Sequence, residues 1–305
     1  MAPLVSVILP TYDRWPMVSE AVESVLQQSF RQFELIVVDD GSQDGTAEGL
    51  YQRYGTSLLV VSQPRRGVAA ARNLGFSWSS GRYVAFLDSD DLWRPTKLEI
   101  QAAFMESHPE IEICQTEEIW VRNGVRVNPK RRHRKPSGDI FHASLGLCLV
   151  SPSAVMMTRE LLRRLGGFDE RFPVCEDYDL WLRIARDTAV PLIDQPLVVK
   201  RGGHGDQLSR ATWGMDRFRV QALAKLLRSG LQGEKKEWVL EVLRGRITIL
   251  AQGANKRKKE EEARNYERLL AEFTDDEVDH DGRDFGLREE QGIPPPHPGA
   301  LAQVD

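Results

Sequence analysis

Tyr83-Val84-Ala85-Phe86-Leu87-Asp88-Ser89-Asp90-Asp91 is the stretch whose reading decides the fold. Its apolar run predicts a buried strand that stops abruptly in carboxylates. Working outward from it, the same grammar recurs toward the start of the chain. Val5 to Leu9 runs into Pro10-Thr11-Tyr12-Asp13, Glu34 to Val38 into Asp39-Asp40-Gly41-Ser42, and Ser57 to Val61 into Gln63-Pro64-Arg65-Arg66-Gly67. The intervening stretches have helical length and spacing: Met17 to Gln28 sets Val18, Ala21, Val22 and Val25 on one face, and Gly67 to Ser80 forms a second helix. Strand and helix in alternation predict an α/β fold with a parallel sheet covered on both faces. Ligands of such sheets bind beyond the carboxyl ends of the strands, so four strand ends rich in polar and acidic residues point to one crevice.

Beyond this first third the pattern changes. Glu110 to Val199 reads as mixed α+β, with a basic run from Lys130 to Lys135 and a helix starting near Glu176. Met215 to Phe273 turns helical, with Phe218, Ala222, Leu226, Val239, Val242 and Leu243 as apolar faces and a charged stretch from Lys256 to Arg264. After about Asp275 the chain becomes acidic and then proline-rich at Pro294-Pro295-Pro296, the composition of a disordered tail.

Composition narrows the classes of function. The 305 residues are 41% hydrophobic and 28% charged, enough for a sizeable core. The 41 Lys+Arg against 45 Asp+Glu give a net charge of -4, which excludes a polycation and argues against a nucleic-acid partner. Cys114, Cys148 and Cys175 are widely spaced and contain no Cys-x-x-Cys pair, so neither a disulfide framework nor a structural zinc site is expected. The opening residues lack a basic n-region, and the first apolar run meets Pro10 too early for a signal peptide. With no run of about 18 apolar residues to span a bilayer, the expectation is a cytoplasmic protein. Peripheral contact with the inner face of the membrane stays open.

Two carboxylates as close as Asp88 and Asp90 repel unless a cation lies beside them, and a hard divalent ion such as Mg2+ or Mn2+, taking oxygen ligands and bridging to phosphate, meets that need. Helix capping by Asp90 or Asp91, ahead of a helix beginning near Leu92 or Pro95, is the plainer alternative. In Asp39-Asp40-Gly41-Ser42-Gln43-Asp44-Gly45-Thr46, a carboxylate can accept hydrogen bonds from a nucleobase or ribose, or the segment can be a turn before a helix capped at Thr46. Neither Gly-x-Gly-x-x-Gly nor a P-loop motif is present, so metal and side chains must carry any phosphates. Cys175-Glu176-Asp177-Tyr178-Asp179 opens a helix with acids that either complement its dipole or supply a general base. His204 lies in a glycine-flanked loop suited to a working histidine. The basic run is either a solvated loop or a grip on an anionic acceptor or membrane phosphate.

Taken together, these segments resemble the family 2 nucleotide-sugar glycosyltransferases of the GT-A fold. The resemblance runs through Val5-Ser6-Val7-Ile8-Leu9-Pro10-Thr11-Tyr12, Val38-Asp39-Asp40-Gly41-Ser42, Arg66-Gly67 with Ala71-Arg72-Asn73, Asp88-Ser89-Asp90-Asp91, Gly166-Gly167-Phe168-Asp169-Glu170, and Glu176-Asp177 to His204. It implies a Rossmann-like, mostly parallel sheet flanked by helices. Residues 1–110 would form the nucleotide-sugar-binding half and 111–214 the acceptor-binding and catalytic half, with 215–275 a helical appendage and 276–305 the tail.

By the same resemblance Pro10, Thr11 and Tyr12 border the base, Asp40 accepts a hydrogen bond from it with Asp39 nearby, and Arg72 lines the nucleotide pocket. Asp88, with Ser89 beside it, lies near the ribose. Asp90 coordinates the divalent ion, with His204 as a further metal ligand, and Asp177 is the base that deprotonates the acceptor. The expected reaction is inverting, metal-dependent transfer from a nucleotide-sugar, a UDP-sugar foremost, to a hydroxyl of a carbohydrate or lipid-linked cell-surface glycan precursor. A homodimer through the helical appendage stays open. Competing readings are a haloacid-dehalogenase-like phosphatase with Asp88 as nucleophile, disfavoured by Leu92 where that family needs Thr or Val, and a non-catalytic carbohydrate- or nucleotide-binding scaffold.

Overall fold

The computed structural model describes residues 2–128, 130, 133–203 and 214–274. The expected disordered tail, His204 and the Arg131 and Arg132 part of the basic run lie outside the described residues. Among the described residues nine strands form one sheet: β1 (Val5–Thr11), β2 (Phe33–Asp39), β3 (Leu59–Ser62), β4 (Tyr83–Phe86), β5 (Leu92–Trp93), β6 (Ile113–Arg122), β7 (Val125–Val127), β8 (Val155–Thr158) and β9 (Leu192–Gly202). Their order is β3-β2-β1-β4-β8-β6-β9-β5, with β7 paired to β6. Pairing is parallel from β3 through β4, as the alternation of strand and helix predicts. Past β4 the sheet becomes mixed, since β8 runs antiparallel to both β4 and β6 while β6 and β9 pair in parallel.

Burial follows position in this order. Every residue of β1 is buried, because the strand is central and covered on both faces, which is why it reads as an unbroken apolar run. The expectation that Ser57 to Val61 is also a buried strand needs correction. β3 is the sheet edge, its Leu59 is 40% exposed, and Gly55–Ser57 forms a short 3-10 turn instead. Helix α1 (Met17–Leu26) buries Val18, Ala21, Val22 and Val25 against the sheet, as its spacing requires. The capping alternative for Asp90 and Asp91 does not hold. Leu92–Trp93 is a strand, and the next helix, α4 (Lys97–Ser107), starts after Thr96 without a side-chain cap. Between them come α2 (Thr46–Tyr54) and α3 (Val68–Trp78).

Helix α3 lies unusually close to the sheet. A Cβ built on Gly75 would come within 2.5 Å of Ile8 Cγ2 and 3.1 Å of Val38 Cγ2, so only glycine lets the helix approach β1 and β2 this tightly. Ala71, buried with Ile36 and Val38 of β2, is a second small residue at this contact.

The second half adds α5 (Phe141–Gly146), α6 (Arg159–Arg164) and α7 (Glu176–Ala185), and then α8 (Met215–Arg228), α9 (Gly233–Lys256) and α10 (Glu260–Thr274). The last three helices share their core with the rest of the chain. Val220, Leu223, Leu226, Val239 and Leu243 belong to the same buried cluster as Phe86, Phe141, Phe168, Tyr178 and Trp181. Lys225 of α8 also pairs with Asp169 at 2.7 Å and with Asp179 at 2.9 Å, tying that helix to the segments around α7.

One buried cation behind the sheet gives a test of this packing. Lys97 is fully buried, its Nζ donating to Gln101 Oε1 at 2.5 Å and standing 4.0 Å from the centroid of the Trp93 ring. Burial, assisted by the charge of Lys135, pushes its ammonium down to about 7 from 10.5. The folded chain therefore holds fewer protons at this site than the unfolded chain between those values. Stability should rise with pH across that window by at most about 1.4 kcal/mol per unit. Lys97→Met should raise the melting temperature at pH 7, and the gain should shrink by pH 10; a gain that grew with pH would show that Lys97 is held as a stabilising charge.

Candidate active site

The expected base-binding residues lie where β1 and β2 end side by side, Thr11 paired with Asp39. Pro10, Thr11, Asp39 and Asp40 are buried. Asp40 is held by three donors: Gln63 Nε2 at 2.6 Å and the backbone N–H of Arg66 at 2.8 Å on Oδ1, and the N–H of Gly67 at 2.8 Å on Oδ2. Gly67 is the residue that opens α3, so Asp40 fastens β2 to the start of that helix. The turn after Asp40 needs glycine, because Gly41 has φ +82° and a Cβ there would come within 2.8 Å of Arg65 N. Asp39 accepts only long bonds from the Ser42 N–H, at 3.3 and 3.4 Å.

Tyr12 borders this corner. Its hydroxyl accepts from Arg65 Nη1 at 2.8 Å, and the Arg65 guanidinium stands over the ring at 3.8 Å. Thr11 Oγ1 is buried and makes no hydrogen bond among the described residues. An unpartnered buried hydroxyl at a strand end is the kind of group a ligand satisfies. Asp44, by contrast, is structural: it accepts from the Thr46 N–H at 2.9 Å and from Thr46 Oγ1 at 2.5 Å at the start of α2.

The second corner is the end of β4, joined to the first through α3. Arg72 of α3 is 3% exposed, donating to Asp88 Oδ1 at 2.7 Å and to Glu176 Oε1 at 2.6 Å, with Phe168 beneath it at 5.0 Å. Burial would lower the guanidinium's affinity for its proton, but the carboxylates of Asp88 and Glu176 outweigh it and hold the charge more firmly than usual. Burial and Asp177 push Glu176 up to about 7 against the pull of Arg72. This one side chain therefore ties the acidic end of β4 to the acidic start of α7. Asn73, the next residue, fixes the neighbouring loop by exchanging bonds with the Phe168 backbone at 2.8 and 2.9 Å.

The three acids after β4 have separate environments. Asp88 and Asp90 remain partly exposed, and Asp90 faces Arg14 at 3.4 Å. Ser89 is buried beside them. Asp91 is buried, accepting from Ser153 Oγ at 2.7 Å and from the Arg201 N–H at 2.9 Å. Burial, with Asp90 and Asp88 close by, pushes Asp91 up to about 8, although Lys200 opposes the shift.

At the start of α7 the three first-turn acids also diverge. Glu176 pairs with Arg72, and Asp179 pairs with Arg183 and Lys225. Asp177 alone of the three forms no ion pair among the described residues. Its Oδ1 accepts from the Tyr178 N–H at 2.7 Å, and its Oδ2 accepts from the Cys148 thiol at 3.5 Å. Burial and Asp177 keep that thiol protonated well beyond its ordinary range.

A cation invisible to the sequence reading completes the arrangement. Lys200 of β9 donates to Ser151 Oγ at 2.9 Å and lies in the field of Glu118, Asp91, Asp88 and Asp177, which raises its affinity for the proton despite burial. Asp88, Asp91 and Asp177, drawn from two distant stretches of sequence, thus all act on the charge of one ammonium. The only local signal is a lysine ending the apolar run Leu197-Val198-Val199.

Among the described residues no group of three or more His, Cys, Asp or Glu is positioned to hold a metal ion. The donor set nonetheless suits one that binds together with a substrate. Mg2+ and its relatives commonly take one or two carboxylates and complete their shell with water and phosphate oxygens, and of the three acids after β4 Asp88 and Asp90 are the partly exposed ones.

The sequence model described as Glycosyl transferase family 2 matches residues 6–166, more than half the chain, and these include both strand-end corners. The chain belongs to glycosyl transferase family 2. An Escherichia coli relative, the UDP-Glc:alpha-D-GlcNAc-diphosphoundecaprenol beta-1,3-glucosyltransferase WfgD, is 32% identical over 192 residues, covering 63% of this chain and 73% of WfgD. The fold agrees with two solved structures of low sequence identity. Staphylococcus aureus TarS in complex with UDP-GlcNAc superposes with a TM-score of 0.61 at 20% identity, over 89% of this chain and 92% of that one. The mannosyltransferase PcManGT of Pyrobaculum calidifontis, in complex with GDP-Man and Mn2+, gives 0.57 at 20% identity over 92% and 89%. This family 2 chain therefore has the GT-A fold. It spans 66% or less of the length of its Rickettsia relatives, 32% in Rickettsia felis. No helix among the described residues is long and apolar enough to cross a membrane.

Proposed function

We propose that this family 2 chain is an inverting, metal-dependent transferase that moves a sugar from a UDP-sugar to a hydroxyl of a lipid-linked or cell-surface glycan precursor. The observation that carries the proposal is Asp177: an acid without an ion-pair partner among the described residues, next to Glu176, which Arg72 ties to Asp88 at the end of β4, and acting on the charge of Lys200. The bound UDP-GlcNAc of TarS and the UDP-Glc in the name of WfgD support the donor, and the diphosphoundecaprenol of WfgD supports the acceptor class.

In this reading Pro10, Thr11 and Tyr12 border the base, the hydroxyl of Thr11 finds its missing partner there, and Asp40 accepts an N–H from the base with Asp39 beside it. Arg72 holds Asp88 toward the ribose, next to Ser89. Asp90 would hold the divalent ion, with His204 as its further ligand. When bound, the ion supplies positive charge that stabilises the departing nucleoside diphosphate more in the transition state than in the donor. Asp177 takes the proton of the attacking hydroxyl. The hydroxyl oxygen then bonds to the anomeric carbon as the sugar–phosphate bond breaks on the opposite face, so configuration inverts without an enzyme nucleophile. Cys148 donates to the carboxylate oxygen Oδ2 and orients it.

A thermal-shift series with UDP and GDP, each with Mn2+ or with EDTA, tests this reading. A ligand at 100 times its Kd adds about 2.7 kcal/mol of stability when it binds only the folded chain. UDP with Mn2+ should raise the melting temperature by several degrees and EDTA should remove most of the gain; equal shifts in EDTA would contradict metal dependence, and no shift with either nucleotide would contradict the donor site.

A further inference from the structure

Outside the donor crevice a cavity of about 270 Å³ opens beside β6. Its floor is an ion pair: Lys135 Nζ lies 3.1 Å from Glu118 Oε1, with the two side chains 5% and 3% exposed. Trp120 forms a wall, its indole N–H donating to Glu118 Oε2 at 3.0 Å and its ring packed against His133 at 5.4 Å between centroids. Lys130 and Arg134 stand exposed at the rim. The floor pair neutralises itself, which leaves Lys130 and Arg134 against the single carboxylate of Glu117. The lining is thus net positive although the whole chain is net negative.

Register places this cavity next to the proposed reaction centre. Trp120 pairs with Lys200 across β6 and β9, while Leu92 pairs with Val199 across β5 and β9, so Asp91, Lys200 and Trp120 lie in one row over three strands. The Glu118 carboxylate pairs with Lys135 in the cavity and also acts electrostatically on Lys200. An immobilised indole with polar neighbours suits a sugar ring, which offers apolar C–H faces and hydroxyl edges. A surplus of guanidinium and ammonium groups at the rim suits an anion on that sugar.

We propose that this cavity is an acceptor subsite for a negatively charged glycan, one whose sugar or polyol carries a carboxylate or a phosphate. The sugar lies against Trp120, and the anion meets Lys130 and Arg134. This inference rests on the glycosyltransferase reading for its biological use, but binding to the cavity can be measured without any transfer.

The full chain would be titrated by calorimetry with hyaluronan tetrasaccharide for the carboxylate arm and with a glycerol phosphate tetramer for the phosphate arm. Chitotetraose is the neutral control, and UDP with Mn2+ is titrated separately. At least one anionic oligomer should bind ten-fold or more tightly than chitotetraose, and its affinity should fall as salt is raised. Lys130→Ala combined with Arg134→Ala removes only exposed side chains and should cost ten-fold or more in that affinity with the melting temperature kept; Trp120→Phe should weaken it independently. Equal binding of neutral and anionic oligomers, or wild-type affinity in the double variant, overturns the proposal. So does Lys130- and Arg134-dependent sedimentation with phosphatidylglycerol vesicles when no oligomer binds, since the rim would then meet a membrane. Loss of UDP binding with glycan binding intact would strike the donor reading alone, and the converse would strike the acceptor subsite alone.

Discussion

Asp177→Asn should lower transfer, and the slower hydrolysis of a UDP-sugar by water, by about 10²- to 10⁴-fold, the range a positioned general base contributes. UDP affinity should stay near wild type. The geometry explains why the two effects separate. Oδ1 of Asp177 accepts the Tyr178 N–H at 2.7 Å, and an asparagine carbonyl can do the same, so the first turn of α7 is retained. The other oxygen, facing Cys148 at 3.5 Å, becomes an amide with no basic lone pair for the acceptor proton. Product formation followed with radiolabelled donor, beside a UDP titration, checks both halves. Wild-type turnover in this variant would remove Asp177 from the proposed role, and a loss of UDP binding in equal measure would make it a structural residue.

The second large effect concerns Arg72, whose guanidinium spans two carboxylates on different elements at 2.7 and 2.6 Å while almost wholly buried. Arg72→Met should destabilise the chain by about 3–5 kcal/mol, because removing one member of a buried ionic network leaves charges without compensation. Arg72→Lys should recover only part of this, since an ammonium lacks the planar fork that reaches Asp88 and Glu176 together. Sign and pH add a finer test. Glu176 is already pushed up to about 7 by burial and Asp177. A carboxyl with a raised pKa favours the folded state most fully below its unfolded value, and that contribution is lost as pH rises through the folded one. Without Arg72 the folded value climbs further, so the deficit of Arg72→Met should be smaller at pH 5 than at pH 8 in denaturant melts. A deficit independent of pH would mean that the cost is lost packing on Phe168 alone.

Much of this arrangement could be read in the sequence because strand ends carry their own signal. Val5 to Leu9 and Tyr83 to Leu87 are unbroken apolar runs on account of burial on both faces, and the polar residues immediately after them had to sit at one edge of a parallel sheet. That logic puts Thr11, Asp39, Asp40 and Asp88 at the strand ends from the sequence alone. It failed at Ser57 to Val61, where an edge strand kept apolar residues half-exposed and periodicity could not distinguish edge from centre. It also could not tell Asp91 from Asp88 and Asp90. Only the packing of Ser153 and the Arg201 backbone against it makes Asp91 the buried member of the three.

Lys200 and Glu118 stayed hidden for a different reason. They meet the strand-end acids only because the sheet beyond β4 departs from chain order, running β8-β6-β9-β5, and no local pattern announces that permutation. The basic run shows the same limit. A lysine in a string of charges looks solvated, yet Lys135 is buried on Glu118, while the neighbouring Lys130 and Arg134 are exposed.

The measurement closest to the centre of this account is a crystal structure of the full chain grown with a UDP-sugar and Mn2+, using Asp177→Asn to keep the donor intact. Uracil should lie between Tyr12 and Asp40 with an N–H within hydrogen-bond reach of the Asp40 carboxylate, the diphosphate should share its cation with Asp90, and residue 177 should face the anomeric carbon opposite the leaving diphosphate. A nucleotide found away from the ends of β1, β2 and β4, or a sugar whose anomeric carbon turns from residue 177, would contradict it.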